Sequence, residues 1–231
     1  ISTLYEGSGG INQFNISTGI KLKNLYLGVT GGYSFGNKDY STKIRFINDS
    51  LAYYVSNSET KTQLSGFFAE AGAQYDIKTS KTSLLRLGVS TAFKQKLSGK
   101  RDNIDATISY DGNGEPYNLD TISLTSGVKG DILVPSNYSF GFTYSNNNWI
   151  VGADFDFAQW SDYRYYNQQD AVQNNFTIRA GAQFYPAKDN TPANSYWSFV
   201  KYRAGFYYGN DYIKLNVNRP NYAVTLGAGL P

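Results

Sequence analysis

Stretches of about ten residues in which apolar and polar side chains alternate strictly recur along this chain, and they restrict it to long β-strands. Phe176, Ile178, Ala180, Ala182 and Phe184 fall on one face of such a stretch, with Thr177, Arg179, Gly181 and Gln183 on the other, because strand side chains alternate with period two. The same ladder runs through Phe67, Ala69, Ala71, Ala73 and Tyr75, through Trp149, Val151, Ala153, Phe155 and Phe157, and through Tyr196, Ser198, Val200, Tyr202, Ala204 and Phe206. Soluble strands average about 5–6 residues, whereas a strand crossing a bilayer needs about 9–11. The ladders have the longer length.

Alternation and turn residues together predict about nine long strands, near 12–21, 25–36, 63–76, 83–96, 136–146, 148–159, 173–185, 196–208 and 221–230. The connections between them alternate: short at 22–24, 77–82 and 146–148, long at 37–62, 97–135 and 160–172, intermediate at 186–195 and long again at 209–220. Outer-membrane barrels show this asymmetry, with short periplasmic turns and longer extracellular loops. The expected fold class is all-β, an antiparallel transmembrane β-barrel forming a single domain over residues 1–231. Its location is then the outer membrane of a diderm bacterium, in contact with outer-membrane lipid. Residues 1–10 lack the basic-then-apolar order of a secretory signal, as a mature or trimmed chain does. Residues 44–46 and 104–110 extend strands past the membrane, and 111–114 reads as a turn rather than a calcium loop, since its ligand set is incomplete.

Charged residues make up 17% of the chain, below the roughly 25% of soluble domains. Something other than water is therefore expected against part of the surface. A mean hydropathy of −0.44 agrees with a barrel, whose polar interior and loops offset its lipid face. The chain has no cysteine and no histidine. Thiolate chemistry, the usual metal ligands and the usual general base are all missing, so neither an enzyme nor a metal or cofactor site is expected. A formal charge of +3, dispersed along the chain, lacks the electrostatic footprint of a nucleic-acid binder.

The strand charges lie in one phase. Glu70, Arg86, Asp154, Asp156, Arg179, Lys201 and Arg203 all fall on the polar face of their strands, where a lipid-facing Arg or Lys at mid-bilayer would cost roughly 2–4 kcal/mol. They are expected to point into a lumen, either as a structural network of interior pairs or as a binding surface for the polar head of a ligand. Gly19, Gly28, Gly32, Gly66, Gly72, Gly88, Gly141, Gly152, Gly181, Gly205, Gly227 and Gly229 share that phase, and Gly31 is the exception. A one-sided glycine row fits either wall curvature or close approach by an internal segment. Trp160, Tyr163, Tyr165 and Tyr166, in a long loop, are candidates for first contact with an amphipathic ligand, with loop packing or interfacial anchoring as the alternative.

The ordered set of residues 132–135 (Ile-Leu-Val-Pro), the Gly- and Tyr-bearing strand 138–144, Trp149 and the loop opening at Gln159, Trp160 and Ser161 resembles the long-chain fatty acid outer-membrane transporter family, of the FadL/TodX type. The strands at 176–185 and 199–208 and the closing Gly227, Ala228, Gly229, Leu230, Pro231 fit the same series. The resemblance implies a 14-stranded barrel with an N-terminal hatch, of which this chain would be a part lacking strands at both ends. It also implies passive uptake of hydrophobic or amphipathic small molecules. The alternative from the same resemblance is a barrel subunit of an outer-membrane assembly or secretion complex, with other subunits as partners.

Overall fold

A computed structural model describes residues 1–47, 54–187, 196–217 and 219–230. The described residues form twelve strands in one antiparallel sheet: β1 (Ser2–Leu22), β2 (Leu25–Arg45), β3 (Val55–Lys78), β4 (Leu84–Ala92), β5 (Gln95–Tyr110), β6 (Pro116–Val134), β7 (Asn137–Ser145), β8 (Trp149–Ala158), β9 (Arg164–Tyr165), β10 (Asn175–Phe184), β11 (Lys201–Asn210) and β12 (Pro220–Gly229). All nine sequence-predicted strands are present as β1, β2, β3, β4, β7, β8, β10, β11 and β12, each paired to the next in that order. They make a wall. Within this chain the wall is open, with β1 and β12 at its two edges.

Register confirms the two faces. Across β8 and β10, Trp149 stands opposite Phe184, Val151 opposite Ala182, Ala153 opposite Ala180 and Phe155 opposite Ile178, while Gly152 meets Gly181. The apolar row continues through Tyr202, Ala204, Phe206 and Tyr208 of β11 to Ala228, Leu226, Val224 and Tyr222 of β12. It is bordered by aromatics at both ends: Trp149 against Phe184 at 4.5 Å on the short-turn side, and Tyr33 against Phe67 at 5.0 Å on the long-loop side. Phe176 and Phe184 are eight residues apart, about 27 Å at the rise of an antiparallel strand. That matches the ~25 Å apolar band of an outer-membrane barrel with its aromatic girdles.

Strand β3 organises what lies beyond that band. One edge carries β2 along its length. The other edge carries β4 over residues 70–78 and β5 over 55–65, so β4 and β5 run nearly in line, broken at Phe93 and Lys94 where the Phe93 N–H donates to the Ala69 carbonyl. The predicted strand 83–96 is therefore two strands. Much of the predicted loops 37–62 and 97–135 is strand as well, because β2, β3 and the β5–β6 hairpin continue past the girdle.

The hairpin turns at Asp111, whose side chain accepts the N–H groups of Asn113 and Glu115, with Gly114 at φ +83°. Of the predicted row from Tyr196, only Tyr202, Ala204 and Phe206 belong to a strand, β11, since Tyr196–Phe199 forms a 3₁₀ turn. The predicted connection 186–195 lies mostly outside the described residues, as does Pro231.

Few side chains are buried, as expected of a single-layer wall. The main packed cluster joins Leu64, Leu97 and Ile132 just beyond the girdle, covered by Val134, Tyr163, Tyr165 and Tyr166.

Candidate functional site

The polar face of the wall is concave and encloses a groove of about 850 Å³ spanning β1, β2, β3, β4, β7, β8 and β10. Its lining includes Gly28, Gly72, Gly88 and Gly141, which belong to glycine runs that cross the sheet. Gly19, Gly28 and Gly72 stand side by side on three successive strands, Gly88 faces Gly141, and Gly152, Gly181 and Gly205 form a third run. At Gly141 an added Cβ would collide with the Asp154 carboxylate, which lies directly over it. A run without side chains lets the sheet curl and leaves room for the charged groups beside it.

Five of the seven sequence-predicted lumen charges line this groove: Glu70, Arg86, Asp154, Asp156 and Arg179. They do not form a single network. Arg179 stands opposite Asp154 in register, yet its guanidinium reaches diagonally to Asp156, which also accepts the Ser139 hydroxyl. Arg86 is held by a residue outside the predicted set: its Nε and Nη2 donate to the two carboxylate oxygens of Asp76, at 2.8 and 2.9 Å. Asp76 is the cross-strand neighbour of Arg86, and a bidentate pair of this kind fixes geometry as well as charge. Its place in the polar phase of β3, beside Gln74, is the signal that identifies it.

Lys201 and Arg203 lie in the same phase but outside the groove. Arg203 Nε donates to Gln183 Oε1 at 2.8 Å, and the Lys201 ammonium sits 5.5 Å from the Tyr185 ring centre.

The loop aromatics form two groups that meet where Trp160 and Tyr163 lie 5.7 Å apart between ring centres. Trp160 opens a 3₁₀ turn and stacks on Tyr212 at 4.7 Å. Tyr163, Tyr165 and Tyr166 instead pack onto the β5–β6 hairpin. Tyr165 pairs with Ile132 of β6, and its hydroxyl is 2.9 Å from that of Thr62. Tyr166 and Asn167 have φ of +51° and +64° and are closed by two Tyr165–Gln168 backbone bonds of 3.0 Å. This is the geometry of a two-residue type I′ turn.

The Tyr166 N–H donates to the Asp131 carbonyl at 2.9 Å, and its ring lies over Gly99 and Gly130, which face each other across β5 and β6. The Arg101 guanidinium covers the same ring at 4.5 Å. Burial holds the Tyr163 and Tyr166 phenols above their usual range. Three of the four candidate ligand aromatics thus hold a loop to a hairpin.

Among the described residues no group of three or more acidic side chains could hold a metal ion. A family model named BamG matches residues 1–231. The chain belongs to the BamG family. That match overturns the resemblance to the long-chain fatty acid transporter family: long strands and inward glycines follow from barrel geometry in general, and the short Leu-Val-Pro and Trp-Ser motifs carry too few residues to separate one barrel family from another.

No curated protein matches this BamG-family chain. Among solved structures it is similar to a chain described as "Structure of the RagAB peptide transporter", with a TM-score of 0.54 and 11% identity over 99% of this chain and 27% of that one. This likeness concerns the fold, and the present chain spans about a quarter of that neighbour's length. Family and all-β fold together indicate outer-membrane association.

Proposed function

We propose that this chain is a β-barrel subunit of an outer-membrane protein-assembly complex, its nine-strand wall crossing the bilayer as part of a multi-pass barrel. The observation that carries this reading is the BamG match along the whole chain. The two-faced wall supports the membrane part, since an apolar band between two aromatic girdles suits lipid and a concave face of Gly, Ser, Thr and charged residues suits water.

Chemistry argues against an apolar cargo in this groove. Its floor carries Glu70, Asp154 and Asp156, and an alkyl chain laid on it would desolvate those carboxylates without pairing them. Ligand pockets for apolar molecules are lined mainly by hydrophobic and aromatic groups.

The test is isolation of the tagged chain from native outer membranes in mild detergent, together with its depletion in cells. Stoichiometric co-purification of other outer-membrane assembly subunits, with a fall in the levels of unrelated outer-membrane barrels on depletion, is the expected result. Purification as a lone barrel, with unaltered barrel levels and loss of uptake of a small solute, would overturn it.

A further inference from the structure

The end of the wall that carries the short turns is basic. Residues 20–26, 75–87, 144–150, 183–187, 196–204 and 226–230 meet there, and the only carboxylate among them is Asp76, which already holds Arg86. The same stretches bring Lys21, Lys23, Lys78, Lys81, Lys201 and Arg203. All six are exposed, and among the described residues none has a carboxylate partner. Acidic groups gather at the opposite end, where the β5–β6 hairpin carries Asp102, Asp105, Asp111, Glu115, Asp120 and Asp131.

Register puts four of the six cations on the concave face. Lys21 stands opposite Tyr26 and Tyr26 opposite Gln74, both of which line the groove, and Lys78 follows Gln74 and Asp76 at period two. Arg203 stands opposite Gln183, on the same strand face as the groove-lining Arg179, and Lys201 lies two residues before it. The Lys21 ammonium rests 5.1 Å from the Tyr26 ring centre, much as Lys201 rests on Tyr185. Lys23, at φ +56°, and Lys81 stand in the turns themselves. Seven strand steps separate β1 from β11 along the wall, so the basic rim is an arc about 34 Å long.

We propose that this rim binds an extended acidic segment of a soluble periplasmic partner protein. A cleft bordered by one sign of charge concentrates the opposite sign, and these cations border the groove without neutralising one another. Their spread decides the kind of anion. A small anion touches one or two groups of an arc this long, whereas about ten residues of extended chain span it. Lipid headgroups meet the outer face of the wall, and Lys21, Lys78, Lys201 and Arg203 stand on the inner one. A second copy inserted in the same sense presents the same basic rim and keeps its acidic hairpin across the bilayer. Residues 188–195 of this chain, in the turn region beside Lys201, add one lysine and one aspartate and so no net negative charge. This inference rests on the complex-subunit reading and names the surface through which a periplasmic member of the complex engages.

The experiment is zero-length coupling of ammonium to carboxylate groups by a water-soluble carbodiimide in native outer-membrane fragments, with the links mapped by mass spectrometry. Lys43 with Glu6 at 2.6 Å and Lys96 with Asp131 at 2.8 Å are internal controls. The expected result is links from Lys21, Lys78 and Lys201 to clustered Asp or Glu residues of a periplasmic protein, lowered about tenfold in 1 M salt, where the Debye length is about 3 Å. Lys21→Gln, Lys78→Gln and Lys201→Gln together release that protein, while the corresponding Arg variants retain it and the control links persist in both. Control links with an unlinked rim overturn the proposal, as lipid headgroups at the rim would produce. So do rim links confined to this chain's own carboxylates, which would identify an internal segment or a second copy. Assembly subunits that co-purify while the rim stays unlinked overturn the rim proposal and leave the complex intact. Rim links to an acidic periplasmic protein without assembly subunits overturn the complex reading and leave the rim proposal standing.

Discussion

At Tyr166 a left-handed backbone is held by contacts that lie far away in sequence. A non-glycine residue at φ +51° carries a cost of about 1–2 kcal/mol, and the offset comes from the ring seated on Gly99 and Gly130 beneath Arg101. Substituting Gly130→Ala puts a methyl group inside the space of that ring. The opening free energy of the Tyr166 N–H, read by amide exchange, is expected to fall by about 1–3 kcal/mol, as for overpacking elsewhere.

Sequence alone exposed the aromatic cluster but not its role. The two glycines that make the socket are 31 positions apart, and only the β5–β6 register brings them together. That the strand charges share one face was legible because period two needs no partner information. The Asp76 partner of Arg86 needed the β3–β4 register, which alternation does not supply.

Asp102 permits a prediction with a definite sign. Its carboxylate accepts the Gly127 N–H at 2.6 Å and the Ser126 hydroxyl at 2.8 Å, and these bonds hold its pKa below the ordinary carboxylate value. A depressed folded pKa gives a contribution that is complete above the unfolded value of about 3.9 and is lost as pH falls through the folded one. Exchange-detected protection of the Gly127 amide, corrected for the intrinsic pH dependence, is expected to be constant above pH ~5 and to decline below pH ~4. In Asp102→Asn it should show no such decline.

Among the elements, the β5–β6 hairpin was the least readable. Each bulge shifts the phase of β6 by one residue, so the apolar positions Tyr117, Leu119, Ile122 and Leu124 never build the unbroken alternation that revealed β7, β8 and β10. Strand β3 shows the same limit from the other side. Its inner residues Phe67 to Tyr75 alternate cleanly, while 55–65 carry polar and charged groups on both faces and read as loop although they pair with β2 and β5.

Bulge geometry also sets what the hairpin tolerates. Gly127 sits at φ +72° beside the register shift after Arg101, a conformation that β-branched residues rarely adopt. Gly127→Val is expected to destabilise the hairpin by about 1–2 kcal/mol. Faster exchange in β5 and β6 with unchanged exchange in β8 and β10 would show it.

For the whole molecule, the assignment of lipid and water to the two faces of one sheet decides how any substitution acts. Ala180 lies at the middle of the apolar row, flanked by Ala153 and Phe206, whereas Thr177, on the opposite face of the same strand, stands across from Asp156. With the wall crossing the bilayer as proposed, a cation at the first position meets hydrocarbon at mid-depth and at the second meets water and a carboxylate. Ala180→Arg is therefore expected to lower stability in a bilayer by about 2–4 kcal/mol, and Thr177→Lys by less than about 1 kcal/mol.

Urea unfolding of the barrel in phospholipid vesicles measures both. Equal losses at the two positions would mean that the wall has water on both faces. The reverse order would turn the sheet inside out, putting Arg179 and Asp156 against lipid and the aromatic girdles within.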